Sequence, residues 1–364
     1  MDVHTTSYTL CCYSMESDSI FAMVKIEPDY HNILRYLERV RKNYSEKCKF
    51  LCGYEAGALG YTLYHQLTNK GIECVIMAPS TMQKTNKKEV KTDKRDAIKI
   101  AKGLAYNSYK AVYILDDEDN AVREYIRMRD DHNSTLKRTK QRISAFCNRH
   151  GRNYTEGSKW TQKHLRWLEK QDFGSPTLQE TLKEYLILYY QAQSKLELFK
   201  QRIEEFANQE RYQEKVSKLR CFVGIDTHTA LALIVETGDF IRFKKAQHYA
   251  AYLGLAPGEN SSGSTIKRTE ITKAGNSHMR RLLIESAHSY QRGTQGKKSK
   301  RLTNRQFGNN SSVIAYADKA CERLRRKYWR IVLRTQKKNT AVTAVARELA
   351  CFVWGMMTDN ISQV

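Results

Sequence analysis

Two aspartates open a helical stretch that is otherwise basic: VKTDKRDAIKIAKGL, Val90 to Leu104. Positions three apart share a face of a helix. Asp93 and Asp96 therefore present two carboxylates to one point, while Lys94 and Arg95 turn elsewhere. Such a pair is either a solvated acid face or half of a site for a hard cation. Glu55 adds to the second reading. It closes the apolar run KFLCGYE (49–55), and open α/β sheets place their sites at the carboxyl ends of strands. Asp2, at the start of the first strand pair, is a fourth acid. Four carboxylates in a basic protein can hold two Mg²⁺ (or Mn²⁺) ions. Two such ions clamp the attacking and leaving oxygens of a phosphodiester.

A second stretch carries a different chemistry. GLAPGENSSGSTIKRTEITKAGNSHMRRLL (254–283) combines glycines and serines with Lys267, Arg268, Lys273, Arg280 and Arg281. Asn276 or Ser277 is placed to cap a helix, and a helix N-terminus favours phosphate. A serine hydroxyl among cations attacks a phosphodiester only with a metal or base to help it and strong charge stabilisation. The same composition also makes an ordinary turn. Further upstream, VGIDTHTA (223–230) resembles the first strand of an acid-dependent nuclease. It lies between helical runs, however, and reads as a hairpin whose backbone touches phosphate, with Asp226 outside the chemistry.

The elements that must hold these residues follow from periodicity. Residues 7–14 and 20–26 alternate as strands around a turn, and 30–46 carry helical spacing. Then come a strand at 49–55, a helix at 56–71, a buried-type strand at 72–79, the helix of Asp93 and Asp96, and the strand-like AVYIL (111–115). This is an α/β layout. Beyond it DDEDN (116–120) reads as a linker or helix start, and 121–149 as a basic helix. Leu178, Leu182, Tyr185, Tyr189, Ala192, Leu196, Phe199, Ile203 and Phe206 form a heptad seam. That seam predicts a coiled coil, paired either with 121–149 or with another subunit. Helices follow from 216 onward, with a polar, basic and mobile stretch expected at 291–312. The division is 1–115, 116–215 and 216–364.

The chain has 364 residues and a formal charge of +23. Such an excess points to a polyanionic partner, nucleic acid before membrane. The sequence shows no signal-peptide pattern, and no apolar run reads as a membrane span. The nine cysteines form no CxxC pair and read as reduced thiols. Basic helices at 121–149 and 323–338, the latter with Tyr328 and Trp329 for stacking, suggest RNA binding. The expected location is the cytoplasm, in association with the nucleoid.

Taken in order, these motifs resemble the DEDD transposases of the insertion-sequence 110 family, the bridge-RNA-guided recombinases. MDVHTTSYTLCCY looks like the family's first strand and aspartate, YEAGALG like the segment of its glutamate, and KTDKRDA like its paired aspartates. FVGIDTHTA, GDFIRFKKAQHYAAYLGLAPGENSSGS and ITKAGNSHMRRLLIESA look like the carboxyl-terminal transposase domain. The resemblance implies an α/β RNase H-like (RuvC-like) N-terminal domain, a helical coiled-coil region and a mostly α C-terminal transposase domain. It implies Asp2, Glu55, Asp93 and Asp96 as a metal-binding tetrad and Ser262 as the nucleophile of a transient phosphoserine link. It also implies target and donor DNA chosen by a structured guide RNA, and a homo-oligomer whose acidic site and serine meet between subunits. The family has several apolar residues before its first aspartate. Here Asp2 directly follows Met1, so half of that central strand is expected to be absent as written, and the geometry at Asp2 is the point in question. The rival readings are a metal-only nuclease related to Holliday-junction resolvases, and a decayed, non-catalytic RNA-binding transposase.

Overall fold

Residues 8–26 alternate side chains across a short turn and pair as that alternation dictates. In the computed structural model, which describes residues 1–44, 46–79, 92–260, 268–294 and 296–361, the chain divides into two compact units, Met1–Ile114 and Leu115–Val364. In the first unit β1 (Asp2–Val3), β2 (Tyr8–Ser14) and β3 (Ser19–Ile26) form an antiparallel sheet in that order. A second, parallel sheet pairs β4 (Leu51–Glu55) with β5 (Glu73–Met77). The Met1 amino group donates to Gly53 O at 2.8 Å and so links β1 to β4.

Helices cover these small sheets. α1 (Tyr30–Tyr44) buries Ile33, Tyr36, Leu37 and Val40, the stripe that helical spacing predicts. α2 (Thr62–Thr68) crosses from β4 to β5 and is shorter than the 56–71 expected, because residues 57–61 form a turn first. α3 (Asp93–Ala105) packs on β1, β2 and β4. Its last turn comes so close to β4 that a Cβ on Gly53 would stand 2.8 Å from the Leu104 methyls. AVYIL is not a strand. Lys110 O accepts from Ala78 N just past the end of β5, so the chain re-enters beside β5 in the opposite direction and forms a single antiparallel bridge, Met77 to Ala111.

The second unit is largely helical. Its long hairpin pairs α4 (Asp117–Arg149) with α6 (Pro176–Ala207); α5 (Gln162–Glu169) lies between them in sequence. Tyr125 near the start of α4 meets Phe199 and Phe206 near the end of α6, so the two run antiparallel. The heptad residues line this contact: Leu182, Tyr189 and Ile203 are buried, and Leu178, Tyr185, Ala192 and Leu196 are partly buried against the same cores. The seam is thus filled by the chain's own α4. DDEDN is a helix start, with Asp116 capping α4 through the amide of Asp119.

Then come α7 (Glu210–Arg220), α8 (Thr227–Thr237), α9 (Ala246–Tyr252), the hairpin of β6 (Pro257–Glu259) and β7 (Arg268–Ile271), and α10 (Ser277–Ala287). Three helices close the chain: α11 (Lys300–Gln306), α12 (Ser311–Thr335) and α13 (Lys338–Met357). Gly224, in the turn between α7 and α8, has φ +84°, and a Cβ there would stand 2.4 Å from Ser286 O. Both facts demand glycine. Three expectations change. Part of the stretch read as mobile is α11, with Leu302 and Gln306 buried. α13 is, by length and composition, apolar enough to cross a membrane, yet it buries ten residues against neighbouring helices of the unit. Its uninterrupted apolarity reflects contact on several sides. Tyr328 is buried at 2% exposure, which leaves Trp329, at 48%, as the ring available for stacking.

Candidate active site

Thr92 caps α3 by accepting from Arg95 N, so the helix begins at Asp93. Asp93 and Asp96 therefore lie in its first turn, where the helix dipole favours negative charge. Both are half-buried, while Lys94 and Arg95 are exposed, as the spacing requires. α3 packs on β1, and the donor atoms of Asp2, His4 and Asp93 lie within 4.8 Å of one another. Burial pushes the Asp2 carboxyl above its ordinary range; Asp96 and Asp93 add to the rise, and His4 opposes it. Two of the four predicted acids, Asp2 and Asp93, therefore meet at one point beside His4, and Asp96 acts on Asp2 through its charge. Glu55 is exposed at the carboxyl end of β4, two residues past the Gly53 carbonyl that receives Met1.

These acids are incompletely matched. Asp2 Oδ2 is buried and has no hydrogen-bond partner among the described residues. His4 Nε2 stands 3.4 Å from it, an ion-pair distance without hydrogen-bond geometry. Lys25 Nζ meets Asp93 Oδ2 at 3.0 Å, and that hydrogen bond holds the Asp93 carboxyl below its usual value. A buried carboxylate oxygen that receives no hydrogen bond, flanked by further carboxylates, suits a divalent cation with oxygen ligands. Sequence reasoning passed over His4 and Lys25. His4 was detectable, since positions two apart share a face of an extended chain; Lys25 needed the strand pairing.

Ser262 lies outside the described residues, as do Ser261, Gly263, Ser264 and Lys267. The segment is carried on the antiparallel hairpin β6–β7, with Pro257 opposite Ile271 and Glu259 opposite Arg268. Beyond it Asn276 caps α10 by accepting from Met279 N at 3.1 Å. Arg280 turns back and donates to Leu253 O at 2.9 Å. Lys273 is exposed, 3.6 Å from Glu270.

Arg281 belongs to a network that sequence spacing does not reveal. Its guanidinium meets Asp130 of α4, whose carboxylate also receives Arg129 at 2.7 Å and stands 3.1 and 3.2 Å from Nε2 of His228 and His278. Asp130 is buried, which opposes ionisation, but these partners hold its carboxyl far below the usual range. Nearby, buried Glu236 accepts Arg127 Nε and Nη2 at 2.7 and 2.9 Å and Asn276 Nδ2 at 2.7 Å. A cavity of about 790 Å³ opens beside this network, lined in part by Arg127, Ser134, Ser277 and His278. Asp226 caps α8 by accepting from Thr229 N at 2.9 Å.

Comparison with known proteins decides the family. A DEDD transposase model of the IS110 group matches residues 1–150, and the Transposase IS116/IS110/IS902 family model matches 216–302. The transposase for insertion sequence element IS1533 of Leptospira borgpetersenii is 32% identical over 335 residues, covering 90% of this chain and 94% of that one. The chain belongs to the IS110 family of transposases. A putative transposase of Sinorhizobium fredii is 37% identical over 306 residues, 84% of this chain and 75% of its own length. The transposase for insertion sequence element IS1111A of Coxiella burnetii is 25% identical over 264 residues, 70% of this chain and 71% of its own. This IS110-family transposase is therefore an enzyme that cleaves DNA and transfers strands.

Proposed function

We propose that this transposase is an RNA-guided DNA recombinase that joins itself to DNA through Ser262. In this reading the first unit is an RNase H-like, RuvC-like domain, and Asp2, Glu55, Asp93 and Asp96 hold Mg²⁺ or Mn²⁺. The observation that carries it is the buried, unpartnered Oδ2 of Asp2 beside Asp93 and Asp96 in a chain of charge +23. Desolvated acids raise one another's pKa unless a cation meets them. A bound divalent ion supplies charge neutralisation at a phosphodiester and eases loss of a hydroxyl proton.

The chain's own groups do the rest. The Ser262 hydroxyl attacks phosphorus, a serine–phosphate bond forms, and the bond to one deoxyribose oxygen breaks and leaves a free strand end. That ester keeps the energy of the broken bond for rejoining to a new strand. Lys267, Arg268 and Lys273 lie on or beside the hairpin segment that carries the serine, where positive charge offsets the charge developing on the phosphate. Helices α4 and α12, with exposed Trp329, offer a basic surface for a structured guide RNA. The working form is a homo-oligomer on nucleoid DNA in the cytoplasm.

The test is a denaturing gel of labelled, nicked DNA with the RNA of the element and Mg²⁺. Wild type should give a shifted protein–DNA band, and Ser262→Ala should give none, while Ser261→Ala and Ser264→Ala should do less damage. A shifted band from Ser262→Ala removes the serine assignment. Cleavage without any shifted band in wild type moves the reading to a metal-only, resolvase-like nuclease.

A further inference from the structure

α7 ends at Arg220, the chain turns tightly through Gly224, and α8 begins at Thr227. Beside that turn lies a second cavity, of about 560 Å³. Six cations line it: Arg129, Lys200, Arg220, Lys300, Arg301 and Arg305. They come from four separate helices, α4, α6, α7 and α11, so no single helical periodicity explains their meeting.

Their partners are few. Arg220 is half-buried, its Nε is sealed from solvent, and it makes no hydrogen bond or ion pair with any described residue. Arg305 is fixed by its Nη1, which donates to Ile225 O at 2.7 Å, but its Nε is also buried and unpartnered. Burial lowers the Arg305 pKa, and Arg301 and Arg220 lower it further. Arg129 is paired with Asp130 and Lys200 with Glu197. Of the two acids on the wall, Asp226 is engaged as the cap of α8, and Glu204 stands among the remaining four cations, Arg220, Lys300, Arg301 and Arg305.

A buried Nε with no hydrogen-bond partner also occurs at Arg123, Arg242 and Arg325. What marks this cavity is that Arg220 has no partner at all among the described residues and that Arg305 meets only backbone carbonyls. Arg127 and Arg281 each end on a buried carboxylate. Arg220 and Arg305 are held close to like charge instead, an arrangement that costs stability until an anion arrives. The cavity is also far larger than one phosphate needs. A polymer that brings several phosphates can meet these cations together, as a single small anion cannot, and DNA is the polymer a transposase handles.

We infer that the cavity between α6, the α7–α8 turn and α11 is a docking site for consecutive backbone phosphates of duplex DNA. Arg220 and Arg301 are its central contacts, and Arg305 orients the turn. The cavity lining shares no residue with the tetrad or with the Ser262 segment, and the site is assayed in EDTA, where no strand is cut. Its failure then leaves the phosphoserine reading untouched, and the reverse also holds.

The experiment measures full-length protein binding to a labelled DNA duplex across a salt series by fluorescence anisotropy. Each phosphate contact contributes about 0.9 to the slope of log K against log salt. Arg220→Gln combined with Arg301→Gln should flatten the slope by about 1.8 and weaken binding roughly 10- to 100-fold near 0.1 M salt. Lys183→Gln, far up α6 from the cavity, provides the control for lost bulk charge. Arg301 is exposed, so Arg301→Gln alone tests the site if the Arg220 variant misfolds, with a slope change of about 0.9. An unchanged slope, a loss no greater than that of Lys183→Gln, or a loss confined to an RNA duplex of the same length overturns the inference.

Discussion

The molecule gathers acids in two places and treats them in opposite ways. In the second unit the carboxylates of Asp130 and Glu236 are buried and hydrogen-bonded: Arg129 and Arg281 donate to the first, with His228 and His278 at ion-pair distance only, and Arg127 and Asn276 donate to the second. Their carboxyls are held below the ordinary range. In the first unit Asp2 is partly buried with one oxygen unmatched, acids face acids, and its carboxyl is pushed upward. A hydrogen-bonded cluster holds elements together. An unsaturated one sacrifices stability and is retained for a ligand. The same criterion, applied with the sign reversed, separates Arg127 and Arg281 from Arg220 and Arg305.

The largest expected effect breaks the comparison on its functional side. Asp93→Asn with Asp96→Asn should lower DNA cleavage by about 10³-fold or more, because several kcal/mol of charge stabilisation at the phosphodiester is lost. The melting temperature should stay nearly level, since relief of repulsion with Asp2 offsets loss of the Lys25 pair and of negative charge at the start of α3. Binding of nucleic acid should persist. Cleavage at the wild-type rate, or a clear fall in melting temperature, would place this cluster with the structural one.

The converse substitution should act on stability. Asp130→Ala leaves Arg281, Arg129 and two histidines facing one another. Removing one partner of a buried pair costs about 3–5 kcal/mol, and the partial exposure of Arg281 places this case near 3. The melting point of the second unit should then fall by about 6–12 °C. All four tryptophans, Trp160, Trp167, Trp329 and Trp354, lie in that unit, so tryptophan fluorescence follows it alone.

Acidity should separate the clusters by sign. Glu236 and Asp130 have depressed carboxyls, so their stabilisation is present above the unfolded value near 4 and is lost as pH falls below it. His278 is depressed chiefly by burial and opposes folding as pH drops below about 6.5. Asp2 is raised, so its contribution is favourable at low pH and is lost as pH climbs through the folded value. Fluorescence melts between pH 7 and 3 should show the second unit weakening. Hydrogen exchange at β1 and α3 should slow between pH 7 and 4.5, after correction for the intrinsic pH rate.

Much of this scaffold was legible beforehand, and the limits have physical causes. The start of α3 follows from the paired acids at the head of an apolar-periodic stretch, and the α4–α6 contact follows from a seam of steps of three and four. Both are local patterns. What escaped was either tertiary or masked by composition. Asp130 and Arg281 stand 151 positions apart, and no spacing rule reaches that far. AVYIL has strand residues, yet it enters beside β5 from the wrong end to extend the parallel sheet. α13, not singled out from the sequence as a span, is apolar enough for one because it is buried within the helical unit, and Tyr328 faces the core although its helix is basic. The acids of the first unit were found because strand ends and helix starts are themselves local signals. Ser262 was approached through composition and resemblance, and the hairpin stems β6 and β7, only three and four residues long, were not read as strands.

A smaller effect sharpens the picture of how the acids are held. Gly53→Ala sets a methyl against Leu104 at the end of α3 and should cost about 1–3 kcal/mol through overpacking. Combining it with Leu104→Ala should recover part of that loss, as read by chemical denaturation.

The most direct measurement is Mn²⁺ binding to the full-length protein, followed by the electron paramagnetic resonance of the free ion at a temperature below all the melts. Wild type and Asp130→Asn should take up Mn²⁺ alike, and Asp93→Asn with Asp96→Asn should lose the uptake. Equal uptake by the tetrad variant, or loss in Asp130→Asn alone, would contradict the assignment of the unsaturated acids to the metal.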